Sequence, residues 1–109
     1  MTPGLREPLS EYFAAANARD PDRVAACFAQ NAVVRDVGRD IRGRSGIRAW
    51  AEHTGRSYRY TATITAVEEH PGGVVITAHL TGDFPGSPID LRYRFALEQG
   101  RIARLEIAP

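Results

Sequence analysis

Apolar residues recur through the first half of the chain at helical spacing and through the second half at every other position. The pattern switches to a sustained period of two near residue 58. From Pro3 to Ala18, the residues Leu5, Leu9, Tyr12, Phe13 and Ala16 form one apolar stripe, with Glu7 and Glu11 off it. This predicts an amphipathic helix that ends at Asn17-Ala18-Arg19. Asp20-Pro21 starts a short second helix, Asp20 as its cap and Pro21 in the first helical position, with Val24 and Phe28 facing inward and Asn31 as its stop. Ala32 to Val37 reads as a strand, Gly38 as a turn and Asp40 to Arg42 as a short return strand. Ser45 is the expected cap of a third helix, in which Ile47, Trp50, Ala51 and Thr54 share a face and Gly55 is the stop.

Beyond this point the alternation is that of strands. Tyr58, Tyr60, Ala62, Ile64 and Ala66 alternate with Arg59, Thr61, Thr63 and Thr65. After the Pro71-Gly72-Gly73 turn, Val74, Ile76, Ala78 and Leu80 alternate with Val75, Thr77, His79 and Thr81. The loop from Gly82 to Pro88 breaks the sheet. Ile89 to Leu97 resumes it with Leu91, Tyr93, Phe95 and Leu97 on one face and Asp90, Arg92 and Arg94 on the other; Gln99-Gly100 then turns into Ile102 to Ile107. Helices first and an antiparallel meander last predict a single α+β domain over residues 1–109. The economical arrangement is a cone: a curved antiparallel sheet wrapped around the N-terminal helices, with a cavity at its open end.

Composition narrows the function classes. The chain is 43% hydrophobic and 25% charged, with a net charge of +1, which supports a core and gives no field that demands nucleic acid or an anionic membrane. All fourteen basic residues are Arg, so Schiff-base chemistry through a lysine is excluded. Cys27 is the only cysteine, so no internal disulfide forms; in its Ala-Ala-Cys-Phe run it reads as a small buried hydrophobe. No apolar run is long enough to span a bilayer and no basic-then-apolar signal pattern opens the chain, so a cytoplasmic protein is expected. A domain of this size gains from association, and a homodimer is expected.

The chemistry-bearing candidates are few. Tyr12 and Asp36 are offered to one apolar space, and a hydroxyl donor beside a possible base is the minimum needed to move a proton on a small hydrophobic ligand. Asp36 also reads as a solvated strand-end residue paired with Arg35 or Arg39, and Tyr12 as a packing residue. Phe13, Ala16, Phe28, Trp50, His53, Tyr60, Phe84, Tyr93 and Phe95 are the expected lining of the space, with Phe84 read either as a lid on its Pro/Gly loop or as the anchor of that loop. His53, His70 and His79 lack the spacing of a metal site, so neither metal nor cofactor is expected. No Gly-x-Ser-x-Gly elbow and no phosphate-binding loop occur.

Several segments together carry a resemblance: Tyr12-Phe13, Asp20-Pro21-Asp22, Phe28 to Asp36, Gly43-Arg44-Ser45-Gly46-Ile47, Phe84 to Pro88 and Gly100-Arg101-Ile102. They resemble the SnoaL-like and ketosteroid-isomerase-like proteins of the nuclear transport factor 2 superfamily, over nearly the whole chain. The resemblance implies the cone-shaped, cystatin-like α+β fold. It also implies a tyrosine on the first helix that donates to a developing oxyanion and an aspartate at the end of the first strand that shuttles the proton. Tyr12 and Asp36 stand in those places. The relatives' third participant, a protonated acid late in the sheet, falls by parity near Leu91 or Tyr93, of which only Tyr93 can donate. Phe28 and Ala51 occupy the places of the supporting tyrosines. An epoxide-hydrolase-like set would need Asp36, Arg92 and Asp90, of which the last two lie on the opposite face.

The expected function is therefore a pocket protein for a small hydrophobic molecule, an isomerase- or cyclase-like enzyme that moves a proton beside a carbonyl. The alternative is a non-catalytic ligand-binding or dimeric scaffold domain of the same fold.

Overall fold

The computed structural model describes residues 6–109, so the start of the predicted first helix, with Pro3 and Leu5, lies outside the described residues. Three helices precede the body of a curved six-stranded sheet: α1 (Leu9–Asn17), α2 (Pro21–Ala26), β1 (Phe28–Asp36), β2 (Arg39–Arg42), α3 (Gly43–Ser57), β3 (Arg59–His70), β4 (Gly73–Asp83), β5 (Ile89–Glu98) and β6 (Arg101–Ala108). The strand order is β2-β1-β6-β5-β4-β3. The last four strands form the predicted antiparallel meander. The join between β1 and β6 is parallel, Val34 beside Leu105 and Asp36 beside Ile107, so the sheet is antiparallel except at this seam.

The α1–α2 corner follows from local chemistry. Arg19 N–H bonds to the Ala16 carbonyl and Asp20 N–H to the Ala15 carbonyl, the paired bonds of a Schellman ending, with Arg19 at φ 55 where glycine is the usual occupant. Asp20 then accepts from the Arg23 N–H at 3.2 Å and Pro21 occupies the first helical position, as its residue type predicts.

Several boundaries differ from the sequence reading: among the described residues α1 opens at Leu9, after Arg6, Glu7 and Pro8, and β4 continues to Asp83, into the predicted loop. Phe28 leaves α2 and opens β1, because the seam takes over: Ile102 N–H bonds to the Cys27 carbonyl at 2.9 Å and Phe28 pairs with Ile102. Strand β1 therefore starts at Phe28 rather than Ala32, and it bulges before Val33. Ser45 does not cap α3; the helix begins at Gly43, after Arg42, without a side-chain cap, and it runs through Gly55 to Ser57. Gly55 lies inside α3, where a side chain would meet the Arg19 stem at ordinary contact distance.

The helices cover one face of the sheet. Leu9, Phe28, Val34, Ile47, Ile76, Ile102 and Leu105 are its largest wholly buried side chains. The edge strand β3 is protected by α1: Asn17 both donates to the Ala62 carbonyl (3.0 Å) and accepts from its N–H (2.8 Å), and Arg19 donates to the Tyr60 carbonyl (3.0 Å). Opposite Tyr60 stands Gly82, where any side chain would overlap the Arg59 carbonyl oxygen. Tyr60 is thus held from both sides. Among the described residues no helix is long and apolar enough to cross a membrane.

Candidate functional site

Cross-strand register brings the chemistry together. Asp36 lies beside Ile107, Ile107 beside Tyr93, and Tyr93 beside Ile76. Side-by-side residues project to the same side of a sheet, so Asp36 and Tyr93 both emerge on the helix-covered face, roughly 10 Å apart at the backbone. The adjacent row on that face is Val34, Leu105, Phe95 and Val74, all buried.

Asp36 is half-buried. The indole N–H of Trp50 donates to its Oδ2 at 3.0 Å. Neither expected arginine pairs with it: Arg35 bonds instead to Asp40 at 3.1 Å on the outer face. Among the described residues Asp36 has no ion-pair partner, so the carboxylate is held by a neutral donor and faces aromatic neighbours.

Tyr12 comes down from α1 onto the same space. Its ring lies edge-on to Phe13 (5.1 Å between centroids), Phe95 (5.6 Å), Phe28 (6.0 Å) and Tyr93 (6.3 Å). Burial pushes its hydroxyl well above the ordinary tyrosine range, and the neighbouring Tyr93, Tyr60 and Asp36 act in the same direction. Burial likewise raises Tyr93 and Tyr60, in both cases with Asp36 adding to the rise. These phenols stay neutral donors. Among the described residues no protein group bonds any of the three hydroxyls, and none is a sealed, unsatisfied polar atom; each opens on accessible space.

The opening near them is narrow. A crevice lined by Tyr12, Ala16, Val24, Trp50, Ala51 and Tyr60, with Arg19, Asp20 and Pro21 at its rim, encloses about 20 Å³. That is on the scale of a water molecule and far below the roughly 300–1,000 Å³ of ordinary ligand clefts. The expected cavity at the open end of the cone is largely filled, because Trp50 turns in toward Asp36. A wider groove of about 650 Å³ lies at the start of α3. Its arginines already tie the fold together: Arg44 to the Phe28 carbonyl, Arg101 to the Ala26 carbonyl, and Arg48 to Asp22 and Glu52.

The residues expected to line the site separate into three groups. Ala16, Trp50 and Tyr60 line the crevice with Tyr12, and Tyr93 faces Tyr12 from the sheet. Phe13, Phe28 and Phe95 are buried walls behind them. His53 is exposed, its ring beside the Ser57 hydroxyl, and Phe84 packs half-buried against the core; neither lines the crevice. Ala51 and Thr54, on the same helical face as Trp50, are lining residues that their spacing already indicated, whereas nothing in the residues of the Arg19-Asp20-Pro21 corner marked it as a rim.

Other chemistries are not assembled. Asp90 is taken by His79 at 2.6 Å on the outer face, away from Asp36, so the Asp36, Arg92 and Asp90 set does not form. Cys27 is buried, its thiol near the Arg23 carbonyl, and burial pushes it up to about 11, unsuited to a nucleophile. Among the described residues no three His, Cys, Asp or Glu side chains converge as a metal site.

Comparison with known proteins places this arrangement. The SnoaL-like domain model matches residues 9–105. A candidate polyketide cyclase from Sinorhizobium meliloti is 35% identical, with 95% of each chain covered and a TM-score of 0.90. A protein from Sphaerobacter thermophilus is 30% identical over 92% of this chain and 90% of its own, with a TM-score of 0.78. A Catenulispora acidiphila protein with a ketosteroid isomerase-like fold, solved in complex with trimethylamine, is 22% identical over all of this chain and 87% of its own, with a TM-score of 0.84. No curated protein matches the chain. The sequence match over residues 9–105 and the shared fold make this chain a member of the SnoaL-like domain family.

Proposed function

We propose that the protein is an isomerase- or cyclase-like enzyme that moves a proton next to the carbonyl of a small ligand, with Asp36 as base and Tyr12 as oxyanion donor. The observation that carries this reading is a half-buried carboxylate without a cationic partner among the described residues, oriented by Trp50 and facing neutral phenols. Donors aimed at a developing enolate oxygen act strongly where water is scarce. The likeness to the Sinorhizobium protein supports cyclase-like chemistry. The crevice is of water-molecule size, so even a single-ring ligand requires the Trp50 side chain to move.

The test uses the β,γ isomer of cyclohexenone. Asp36 removes the proton between carbonyl and alkene, the dienolate oxygen accepts from Tyr12, and the proton returns at the far end to give the conjugated ketone. Wild-type protein is expected to accelerate this isomerisation, followed by ultraviolet absorbance, and Asp36→Asn to abolish it. Equal rates for Asp36→Asn and wild type refute the assignment. Saturable binding of the ketone, seen in Trp50 fluorescence, without any acceleration establishes the alternative, a non-catalytic ligand-binding domain.

A further inference from the structure

We propose that the groove at the start of α3 is a second site, separate from the crevice, that binds the phosphate of a small phosphomonoester. Arg44, Arg48 and Arg101 form its cationic wall.

The groove encloses about 650 Å³ between four elements, with Arg44 and Arg48 from α3, Arg101 from β6, Asp22 and Ala25 from α2 and Gln30 from β1. Asp22 is the single carboxylate among the lining residues, so positive charges exceed negative ones by two.

The backbone brings the guanidiniums together. Arg44 donates through Nε (3.2 Å) and Nη2 (2.8 Å) to the Phe28 carbonyl, and Arg101 through Nη1 to the Ala26 carbonyl (2.9 Å). Those carbonyls belong to residues two apart in the chain, so their Cα atoms lie within about 7 Å. Among the described residues neither arginine forms an ion pair, although Glu98 is the cross-strand neighbour of Arg101. Arg48 is held through Nε by Asp22 (2.7 Å) and through Nη1 by Glu52 (3.2 Å). A guanidinium has donors on all three nitrogens. Nη1 of Arg44, Nη2 of Arg48, and Nε and Nη2 of Arg101 therefore keep donors without a partner among the described residues. The carbonyls fix Arg44 and Arg101 near one another without neutralising them, and an anion between them relieves the repulsion.

Charge and volume select the class. An excess of two positive charges matches a phosphomonoester dianion better than a carboxylate, and the planar fork of Arg takes phosphate oxygens in pairs. Helix α3 opens at Gly43 without a side-chain cap, which leaves N–H groups of its first turn to add to the arginines. The volume is that of an ordinary ligand cleft, with room beside the phosphate for an organic group. The groove and the crevice lie against different residues of α2, Ala25 and Val24 respectively, so the failure of this site leaves the reading of Asp36 and Tyr12 standing.

Phenyl phosphate is the probe, titrated at constant ionic strength and followed by amide NMR shifts. Saturable binding is expected, with shifts at the Gly43, Arg44 and Ser45 amides and with phenylacetate weaker by about tenfold or more. Arg101→Met is expected to weaken phenyl phosphate by about tenfold or more. Ser45→Glu places a carboxylate in the groove within the first turn of α3, where it suits the helix dipole. Its thermal midpoint is expected to hold or rise while phenyl phosphate binding is lost, which separates loss of the site from loss of the fold. No saturable binding to wild type, or wild-type affinity in Ser45→Glu, overturns the site. Equal affinity for phenylacetate overturns phosphate as the ligand class. A single-stranded oligonucleotide that binds more tightly than phenyl phosphate overturns a small molecule as the ligand.

Discussion

The Trp50 indole N–H and the Asp36 carboxylate are joined at 3.0 Å across the space between α3 and the end of β1. This bond replaces the arginine pairing that the neighbours of Asp36 suggest. It leaves Oδ1 as the oxygen not engaged by the indole, and it draws Trp50 inward, which closes the cone. Trp50→Phe keeps the ring and removes the donor. A hydrogen bond to a charged group contributes about 1.5–3 kcal/mol when well buried, and the half-exposure of Asp36 reduces this to about 1 kcal/mol. Urea denaturation is expected to show that loss at neutral pH, together with a change in the isomerisation rate. A stability and a rate both equal to wild type would dismiss the bond as incidental.

The buried tyrosines predict an alkaline limit. The folded pKa values of Tyr12, Tyr60 and Tyr93 are raised above the unfolded value of about 10, chiefly by burial. A raised value means that the folded state retains protons which the unfolded state releases. The corresponding stability is complete below about pH 10 and falls as the pH rises above it. Urea midpoints measured across this range should decline from there upward. Tyr12→Phe should flatten the decline, and the same slope in wild type and variant would contradict the assignment.

Asn17 acts as a stand-in for a neighbouring strand, bonding both backbone groups of Ala62 on the sheet edge. Asn17→Ala is expected to cost about 1–2 kcal/mol and to speed hydrogen exchange at the Ala62 amide. Asn17→Asp retains the acceptor, loses the donor and sets a carboxylate against the Ala62 carbonyl, so it should be no better than alanine. Exchange at Ala62 as slow as in wild type would count against the edge-protecting role.

Val37 occupies the left-handed region at φ 48 in the two-residue turn between β1 and β2, with Gly38 following at φ 83, and it is 71% exposed. A β-branched residue is strained there, whereas Asn is the favoured occupant of such turns. Val37→Asn should raise stability by about 1 kcal/mol without loss of packing. A lower thermal midpoint would show that Val37 has a role beyond the turn. Since Asp36 precedes this turn, the isomerisation rate of the same variant reports whether the turn tunes the carboxylate.

Much of the architecture was legible in the residues. The change of period near residue 58 marks the start of the four-stranded meander, Asp20-Pro21 marks the start of α2, and alternation assigns Tyr93 and Phe95 to the inner face and Asp90, Arg92 and Arg94 to the outer one. These are local properties, set by backbone sterics and by which side chains avoid water. Tyr12 and Asp36 were legible for the same reason, as polar groups placed on apolar faces.

The pairing of β1 with β6 was not legible, because no local pattern states which distant strand supplies hydrogen bonds. That parallel seam moves Phe28 from helix to strand and sets Asp36 on the row of Tyr93. The partner of Asp36 was equally hidden: Arg35 and Arg39 are near in sequence, but alternation points Arg35 to the outer face, and the donor comes from Trp50 on α3. The fill of the cavity depends on how side chains from α1, α3, β3 and β5 meet at one point, which is a property of packing rather than of period.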